Sequence, residues 1–397
     1  MTVLRRYAEV LQPPGAAAAV TASVVGRLSL GTTGLAVLLL TRDTSGSYAL
    51  AGAVSASYAV SFAVAAPGRA RAADRSGPRR VLLACGLLNA LALLLLVALE
   101  TVRAPGPLLC AGAALVGVTV PPLGAVMRAL WARLVSGPAL STAYSLESVV
   151  VELCFVAGPL LVAGLTAVSG PSAAVLACSV LTATGSVWLA GVPTLRAVGP
   201  HPARPSARAG PLVSPAVRSL LLTVLWIGAG FGSLEVAVPA FVEEHGSRPS
   251  TAGVLLAVWS VGSVMGGLVY GGLAVRARLH RQLAMLVVAL AAGTLLPLLA
   301  GGILTLGAAL VVYGSTIAPF SACNAVLLGR SAPPGTTTEA FAWSSSMIFG
   351  GAAAGSAVAG LVIDRSGAAA ALALTAGTGL LTLLSSLAGL PALRRAA

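Results

Sequence analysis

The longest uncharged stretch of the sequence limits its fold most strongly, because no charged residue occurs between Arg281 and Arg330. A helix needs about 20 mostly apolar residues to cross the hydrocarbon core of a bilayer, so this stretch is long enough for two crossings joined by a turn. Either the pair Gly301 and Gly302 or Pro297 marks that turn. The stretch therefore predicts two membrane helices.

The rest of the chain has the same character. Of its 397 residues 57% are hydrophobic and 9% are charged, and its mean hydropathy is +0.95, which excludes a water-soluble enzyme. Charges and Pro/Gly clusters divide the chain into segments that each have about the length of one membrane span. Numbered in chain order, the twelve predicted spans cover residues 15–41, 47–67, 81–99, 105–127, 140–165, 172–193, 216–241, 250–274, 282–301, 303–328, 338–363 and 367–390.

The arginines between these spans predict the orientation of the chain. All 24 basic residues are arginine, and with 11 acids they give a net charge of +13. If the N-terminus lies inside, the outer loops receive only Arg42, Arg103, Arg248 and Arg365, and every cytoplasmic loop is more basic. We therefore expect a multi-pass protein of the cytoplasmic (plasma) membrane with both termini in the cytoplasm. The positive charge then reflects topology and not nucleic-acid binding.

A polar, proline-rich and basic segment lies near the middle of the chain. Residues 196–215 have the composition of a linker and separate residues 1–195 from residues 216–397, with six predicted spans in each part. Ser148 and Gly158 have identical residues 197 positions later, an offset close to half the chain length. A duplicated six-helix unit predicts such an offset. The predicted fold class is an all-α membrane protein with twelve helices in two pseudo-symmetric six-helix bundles.

The segment between spans 2 and 3 carries the most specific motif. Asp74, Arg75, Gly77, Arg79 and Arg80 form the pattern D-R-x-G-x-R-R. The segment resembles the signature loop of the major facilitator superfamily, G-x-x-x-D-R-x-G-x-R-R, with alanine in place of the first glycine. The resemblance implies a transporter fold. It also implies that the aspartate belongs to a cytoplasmic gating contact between the two halves, near the start of span 11.

The residues that precede span 11 agree with such a contact. Thr336, Thr337 and Thr338 are a predicted N-cap, and the positive end of the helix attracts an anion such as Asp74. Glycine at position 77 permits the tight turn. The alternative is that Asp74 and its neighbouring arginines only orient the protein in the membrane.

Four ionisable residues fall inside predicted spans, where a charge is costly unless it faces a cavity or a partner. Counting about 1.5 Å per residue from the predicted starts of spans 1 and 5, Arg27 and Glu152 both lie roughly 18 Å deep, which predicts an ion pair. Glu147 then lacks a cation and is the better candidate proton carrier. The alternative is a static polar network between the two spans. Glu235, nearer the outer end of span 7, either lines a cavity or is solvated with the acids that follow it.

Span 5 contains a second element with family resemblance. Gly158, Pro159 and Gly164 predict a kinked and closely packed helix, because proline removes a backbone hydrogen bond. The element resembles part of the antiporter signature of the superfamily's drug exporters. The exporters' arginine motif in span 4 is absent, since no charge occurs from Leu115 to Val126. The resemblance implies export coupled to protons.

Side chains that contact a substrate are harder to identify. Aromatic and amide side chains near midspan are candidates, although each of them alternatively faces lipid or packs against other helices. The candidates are Tyr58, Trp226, Phe231, Tyr313 and Asn324.

These observations predict a secondary active transporter that exports a small apolar or amphipathic compound by alternating access, with proton coupling. The alternative is uptake or facilitated transport of a small polar metabolite such as a sugar or an amino acid. No P-loop, clustered acids or metal-ligand spacing occurs, so we expect no enzymatic activity, no cofactor and no metal site. The expected partners are the substrate, protons and the lipid bilayer, without nucleic acid, and we expect a monomer.

Overall fold

The computed structural model describes residues 3–198, 210–248, 250–273 and 278–396, and every regular element in these ranges is a helix. The middle of the predicted linker, residues 199–209, lies outside the described residues. The division of the chain into two bundles by a linker therefore stays a prediction. We refer below to residues 3–198 as the first half and to residues 210–396 as the second half.

The helices of the first half agree with predicted spans 1 to 6, with an additional short helix before the first span. They are α1 (Val3–Leu11), α2 (Ala16–Ser45), α3 (Tyr48–Ser76), α4 (Pro78–Thr101), α5 (Gly106–Thr119), α6 (Leu123–Leu134), α7 (Pro138–Ser169), α8 (Pro171–Gly191) and α9 (Pro193–Arg196).

Predicted span 4 is longer than expected and is interrupted. Pro121 and Pro122 lie between α5 and α6, where proline cannot donate the backbone hydrogen bonds that would continue a helix. The helix then resumes and runs to Leu134. Arg128 and Arg133, which follow the predicted end of span 4 at residue 127, therefore belong to α6.

The helices of the second half also follow the predicted spans. The expected break between the two spans is confirmed and includes both predicted positions, because one helix ends at Leu295, Pro297 lies in the 3-10 turn Leu296–Leu299, and Gly301 and Gly302 precede the helix that begins at Ile303. The helices are α10 (Pro215–Glu244), α11 (Ser250–Gly272), α12 (Leu279–Leu295), α13 (Ile303–Gly314), α14 (Ile317–Ser331) and α15 (Thr337–Ala396).

The last of these helices, α15, has 60 residues, which corresponds to about 90 Å and to roughly three times the thickness of the hydrocarbon core. It is interrupted at Gly367, which has φ 78° and ψ −179°. Glu244 accepts a hydrogen bond of 2.7 Å from the N–H of Ala368 and so caps the part that follows. We call the two parts α15a (337–366) and α15b (368–396). With α15 counted once, 11 helical segments of the described chain are long and apolar enough to cross a membrane.

Close packing of α10 on α15 builds the centre of the second half. A Cβ atom at Gly232 would lie 1.9 Å from the carbonyl oxygen of Ala352, and one at Gly355 would lie 2.0 Å from that of Ala229. Small residues are required at such contacts because the two backbones touch. Within the second half, α11 packs against α13 and α14.

Candidate functional site

The buried charges of α2 and α7 form an ion pair, but with a different partner from the one predicted. Arg27 Nη2 lies 2.6 Å from Glu147 Oε2, and the two residues are 4% and 1% exposed. Trp131 Nε1 donates a second hydrogen bond of 3.1 Å to Glu147 Oε1. The predicted pair of Arg27 with Glu152 is wrong because depth along a helix does not fix direction. Five residues separate the two acids, which places their side chains about 140° apart around α7.

Glu152, and not Glu147, is the acid without a cation. It accepts a hydrogen bond of 2.9 Å from Ser263 Oγ, and the hydroxyl group of Ser260 is its second polar neighbour. Both serines lie on α11, in the second half of the chain. The carboxyl group of Glu152 therefore joins the two halves through hydroxyl donors, with no ion pair among the described residues.

Three phenylalanines meet between the two halves, one turn along α7 from Glu152. Phe62 of α3 and Phe155 of α7 both approach Phe349 of α15a, with ring centroids 5.6 Å and 6.4 Å from the Phe349 ring. Phe155 follows Glu152 by three residues and therefore lies on the same side of α7. These ring contacts therefore also join the two halves, next to Glu152 along α7.

The signature motif lies at a helix junction and not in a loop. Helix α3 continues to Ser76, so Asp74 and Arg75 belong to its last turn, while Arg79 and Arg80 belong to the first turn of α4. The prediction of a loop at these positions was wrong because arginine and alanine favour a helix until glycine ends it. Gly77 has φ 91°, which agrees with the predicted tight turn.

Asp74 makes the expected contact with the start of α15. Its Oδ1 and Oδ2 accept hydrogen bonds from the backbone N–H groups of Thr338 (3.3 Å) and Glu339 (2.9 Å). Beside it, Arg71 binds the Glu339 carboxylate through two hydrogen bonds of 2.8 Å and 2.5 Å. A carboxylate at a helix N-terminus and a bidentate ion pair are both strong interactions. They join α3 of the first half to α15a of the second half.

Further hydrogen bonds join the halves at the same end of the molecule, which we call the closed end. Thr142 Oγ1 donates to the carbonyl of Gly271 (2.7 Å), and the Tyr7 hydroxyl of α1 donates to that of Gly267 (3.0 Å). Burial of the Tyr7 hydroxyl raises its pKa to about 12, so it remains a donor at neutral pH. Along α7 from the closed end, Glu152 makes the last of these cross-half hydrogen bonds among the described residues. We call the region between the halves that lies on the far side of Glu152 from the closed end the cleft.

Glu235 faces the cleft from the second half. It is exposed on α10 and has no hydrogen bond or ion pair among the described residues. One turn earlier on the same face, Phe231 packs edge-on against Trp259 of α11, with ring centroids 5.1 Å apart. Gly232 contacts α15a on the other side. The second half contacts α7 and α3 of the first half through α11 and α15. Glu235 lies between α11 and α15a on the surface of α10, so its side chain points toward the first half.

The remaining predicted substrate contacts differ in accessibility. Tyr58, Tyr313 and Asn324 are 7%, 1% and 5% exposed, so surrounding helices enclose them in this structure. Trp226 and Phe231 are partly exposed. The first three pack in the interior because each lies on a helix face that other helices cover.

The predicted helix-5 element is present as a continuous helix. Pro159 lies inside α7, which continues to Ser169. Gly158 is buried, whereas Gly164 has open space where a Cβ would be placed. The angle of the predicted kink stays a prediction.

The ion pair between Arg71 and Glu339 was not predicted from the sequence. A signal was available, because Glu339 is the sole acid between Glu244 and Asp364 and the arginine-rich motif needs counter-charges. It was overlooked because the partners are 268 residues apart.

Two further buried polar residues were also missed. Arg69 Nη1 donates to the carbonyls of Gly117 (2.9 Å) and Val118 (2.6 Å), which the interruption after α5 leaves without helical donors. Glu100 is buried and accepts hydrogen bonds from Thr41 and Thr44. The adjacent Pro121 and Pro122 could have indicated the first contact, whereas no local pattern indicated the second.

Comparison with known proteins decides the family. The model of the Major Facilitator Superfamily matches residues 19–337. The chain belongs to this superfamily. It is therefore a multi-pass membrane transporter and not an enzyme. No curated protein matches the sequence significantly.

Solved structures show the same fold at low sequence identity. The human organic anion transporter MFSD10 has a TM-score of 0.74 and 19% identity, over 94% of this chain and 100% of that one. A bacterial homologue of the iron transporter ferroportin, in an outward-facing state, has a TM-score of 0.78 and 14% identity, over 96% and 98%. The Escherichia coli fucose:proton symporter has a TM-score of 0.72 and 15% identity, over 94% and 98%. At these identities the similarity shows the fold alone.

Proposed function

We propose that the protein is a proton-coupled exporter of a small apolar or amphipathic compound and that it works by alternating access. In this proposal the chain crosses the plasma membrane twelve times as two six-helix bundles and acts as a monomer, with Gly367 dividing the last two spans. The distribution of arginine supports a cytoplasmic location of both termini. The closed end then faces the cytoplasm, and the cleft opens to the outside.

The position of Glu152 carries the proposal. A carboxylate without a cation is costly inside a membrane, and protonation removes that cost. Glu152 lies at the innermost point of the cleft, where protons from outside can reach it. When the closed end opens, α7 and α11 separate, Glu152 loses the hydroxyl donor of Ser263 and meets cytoplasmic water. A proton can thus enter on one side and leave on the other while substrate moves outward.

The other intramembrane acid of α7 has a different role in this scheme. Glu147 is held by Arg27 and Trp131 and is almost fully buried. A pair that is neutralised and enclosed joins α2 to α7 as a structural contact. The proton-carrying role that the sequence suggested for Glu147 is therefore reassigned to Glu152.

The gating contact supports alternating access. Asp74, Arg71 and Glu339 connect α3 to α15a with charge-assisted hydrogen bonds. These bonds must break for the closed end to open, which gives the transporter two distinct states. The partial Gly158-Pro159 element of α7 is consistent with the exporter subtype.

Flux in proteoliposomes with an imposed pH gradient tests the proposal, using neutral and charged fluorescent amphipathic compounds. We expect Glu152→Gln to abolish gradient-driven transport, because an amide cannot carry a proton. Glu152→Asp keeps a carboxyl group and should retain part of the activity. Glu243→Gln, at an exposed position of α10, is the matched control and should transport as the wild type does. Gradient-driven transport by Glu152→Gln at the wild-type rate would refute the mechanism.

Uptake of a small polar metabolite is the second candidate, supported by the structural similarity to the fucose:proton symporter. The same vesicles distinguish the two. Sugar or amino-acid accumulation in the direction of proton entry, with no uncoupler-sensitive efflux of amphipathic compounds, would favour uptake.

A further inference from the structure

Two acids border the cleft without an ion pair to any described arginine. Arg27 is neutralised by Glu147. Arg69 is held by backbone carbonyls of α5. Gly124 of α6 lies beside Arg27. Arg128 lies one turn farther along α6, toward the closed end. None of these arginines neutralises the two acids that border the cleft, Glu152 and Glu235.

Glu235 is the stronger candidate for a ligand contact. Hydroxyl groups of α11 already bind Glu152, whereas Glu235 has no partner among the described residues and is exposed. An isolated carboxylate within a membrane span requires a counter-charge, a proton or water. Since none of the described side chains supplies the counter-charge, a ligand can.

The neighbours of Glu235 narrow the chemistry of that ligand. Phe231, one turn away, is partly exposed, and its ring meets Trp259 at an interplanar angle of 84°. Trp259 also packs against Tyr313, with centroids 5.9 Å apart, which fixes the ring. Aromatic faces attract cations and bury apolar groups at the same time. The carboxylate and the rings thus favour the same class of ligand.

We propose that Glu235 and Phe231, whose ring is held by the buried ring of Trp259, form a binding site for an organic monocation with apolar or aromatic substituents, such as a quaternary ammonium or phosphonium compound. The proposal rests on the proposed export function and names its substrate class. The site should favour organic cations over organic anions, because an anion there would meet the carboxylate of Glu235, which forms no ion pair among the described residues.

Tetraphenylphosphonium and tetraphenylborate have nearly the same shape and opposite charge, so they test whether the site prefers cations to anions. Equilibrium binding to the purified full-length protein, without any gradient, gives the affinities. We expect tetraphenylphosphonium to bind at least about tenfold more tightly than tetraphenylborate. Equal affinities for the two ions would overturn the proposal.

Variants test the residues. Glu235→Gln should weaken tetraphenylphosphonium binding at least about tenfold and reduce the discrimination between the two ions, whereas Glu243→Gln should leave both unchanged. Phe231→Leu should lower the affinity for tetraphenylphosphonium more than the affinity for tetraphenylborate. A midpoint of thermal unfolding equal to that of the wild type shows that each variant is folded. Wild-type affinity in Glu235→Gln would overturn the assignment.

The cation site and the proton mechanism can fail independently, and the variants distinguish the two failures. Glu152→Gln should bind tetraphenylphosphonium normally and still fail in gradient-driven flux. If Glu235 proves necessary for cation binding while Glu152→Gln transports normally, the cation site stands and the proton mechanism fails. If Glu152 proves necessary for coupling while the two ions bind equally, the cation site fails and the mechanism stands.

Discussion

The buried ion pair between α2 and α7 allows a quantitative prediction. Glu147 carries one of two charges that meet at 2.6 Å, and both residues are almost fully removed from solvent. Replacing it in Glu147→Gln leaves the Arg27 guanidinium as an uncompensated charge inside the protein. Breaking one partner of a buried pair typically costs about 3–5 kcal/mol.

The corresponding temperature shift follows from the length of the chain. Unfolding entropy is about 2.1 cal/mol/K per residue, so 397 residues give about 0.8 kcal/mol/K. The midpoint of thermal unfolding in Glu147→Gln should therefore fall by roughly 4–6 °C. Removing both charges in Arg27→Met/Glu147→Leu should restore most of this loss, because two apolar side chains need no counter-charge.

The chain contains its own reporters for the assay. Cys154, Cys178 and Cys323 are buried and free, so a thiol-reactive fluorescent dye labels them as the detergent-solubilised protein unfolds. The control is Glu152→Gln, which removes an acid of the same helix that has only hydroxyl partners and should cost about 1 kcal/mol. The assignment of the pair would be refuted if Glu147→Gln and Glu152→Gln lowered the midpoint of thermal unfolding equally. It would also be refuted if the midpoint did not recover in Arg27→Met/Glu147→Leu.

Three further predictions concern other contacts. Glu339→Gln should weaken the bidentate contact with Arg71 and increase the population open at the closed end, measured as a longer distance between spin labels on α3 and α15a; an unchanged distance distribution contradicts the gating role. Gly355→Ala should destabilise the protein by about 1–3 kcal/mol through overpacking, whereas Gly360→Ala, which has open space, should cost no more than about 0.5 kcal/mol. Because burial raises the pKa of Tyr7 from 10.0 to about 12, its contact should stabilise the fold fully below about pH 10 and lose that contribution as pH rises toward 12; a Tyr7→Phe variant that shows the same alkaline loss would disprove this.

The layout of the membrane helices was largely predictable from the sequence. Apolar length is a local property that sums along the chain, so span positions and the turn at Gly301 follow from composition and hydropathy. The motif around Asp74 and the threonines before α15 also indicated a contact between distant segments, and that contact is confirmed. The N-terminal helix α1 and the end of α3 were missed because a charged amphipathic helix has no apolar span.

The partners within the helix bundle were decided by tertiary structure. The sequence placed Arg27 at the depth of Glu152, but only the rotation of α7 selects which acid meets α2 and which meets α11. The exposure of Glu235 and the burial of Tyr313 have the same origin. Hydropathy along the chain determined which segments enter the membrane, because transfer into lipid depends on each segment alone. Packing between segments decided which charges are neutralised and which remain available, because that depends on the direction of each side chain around its helix axis.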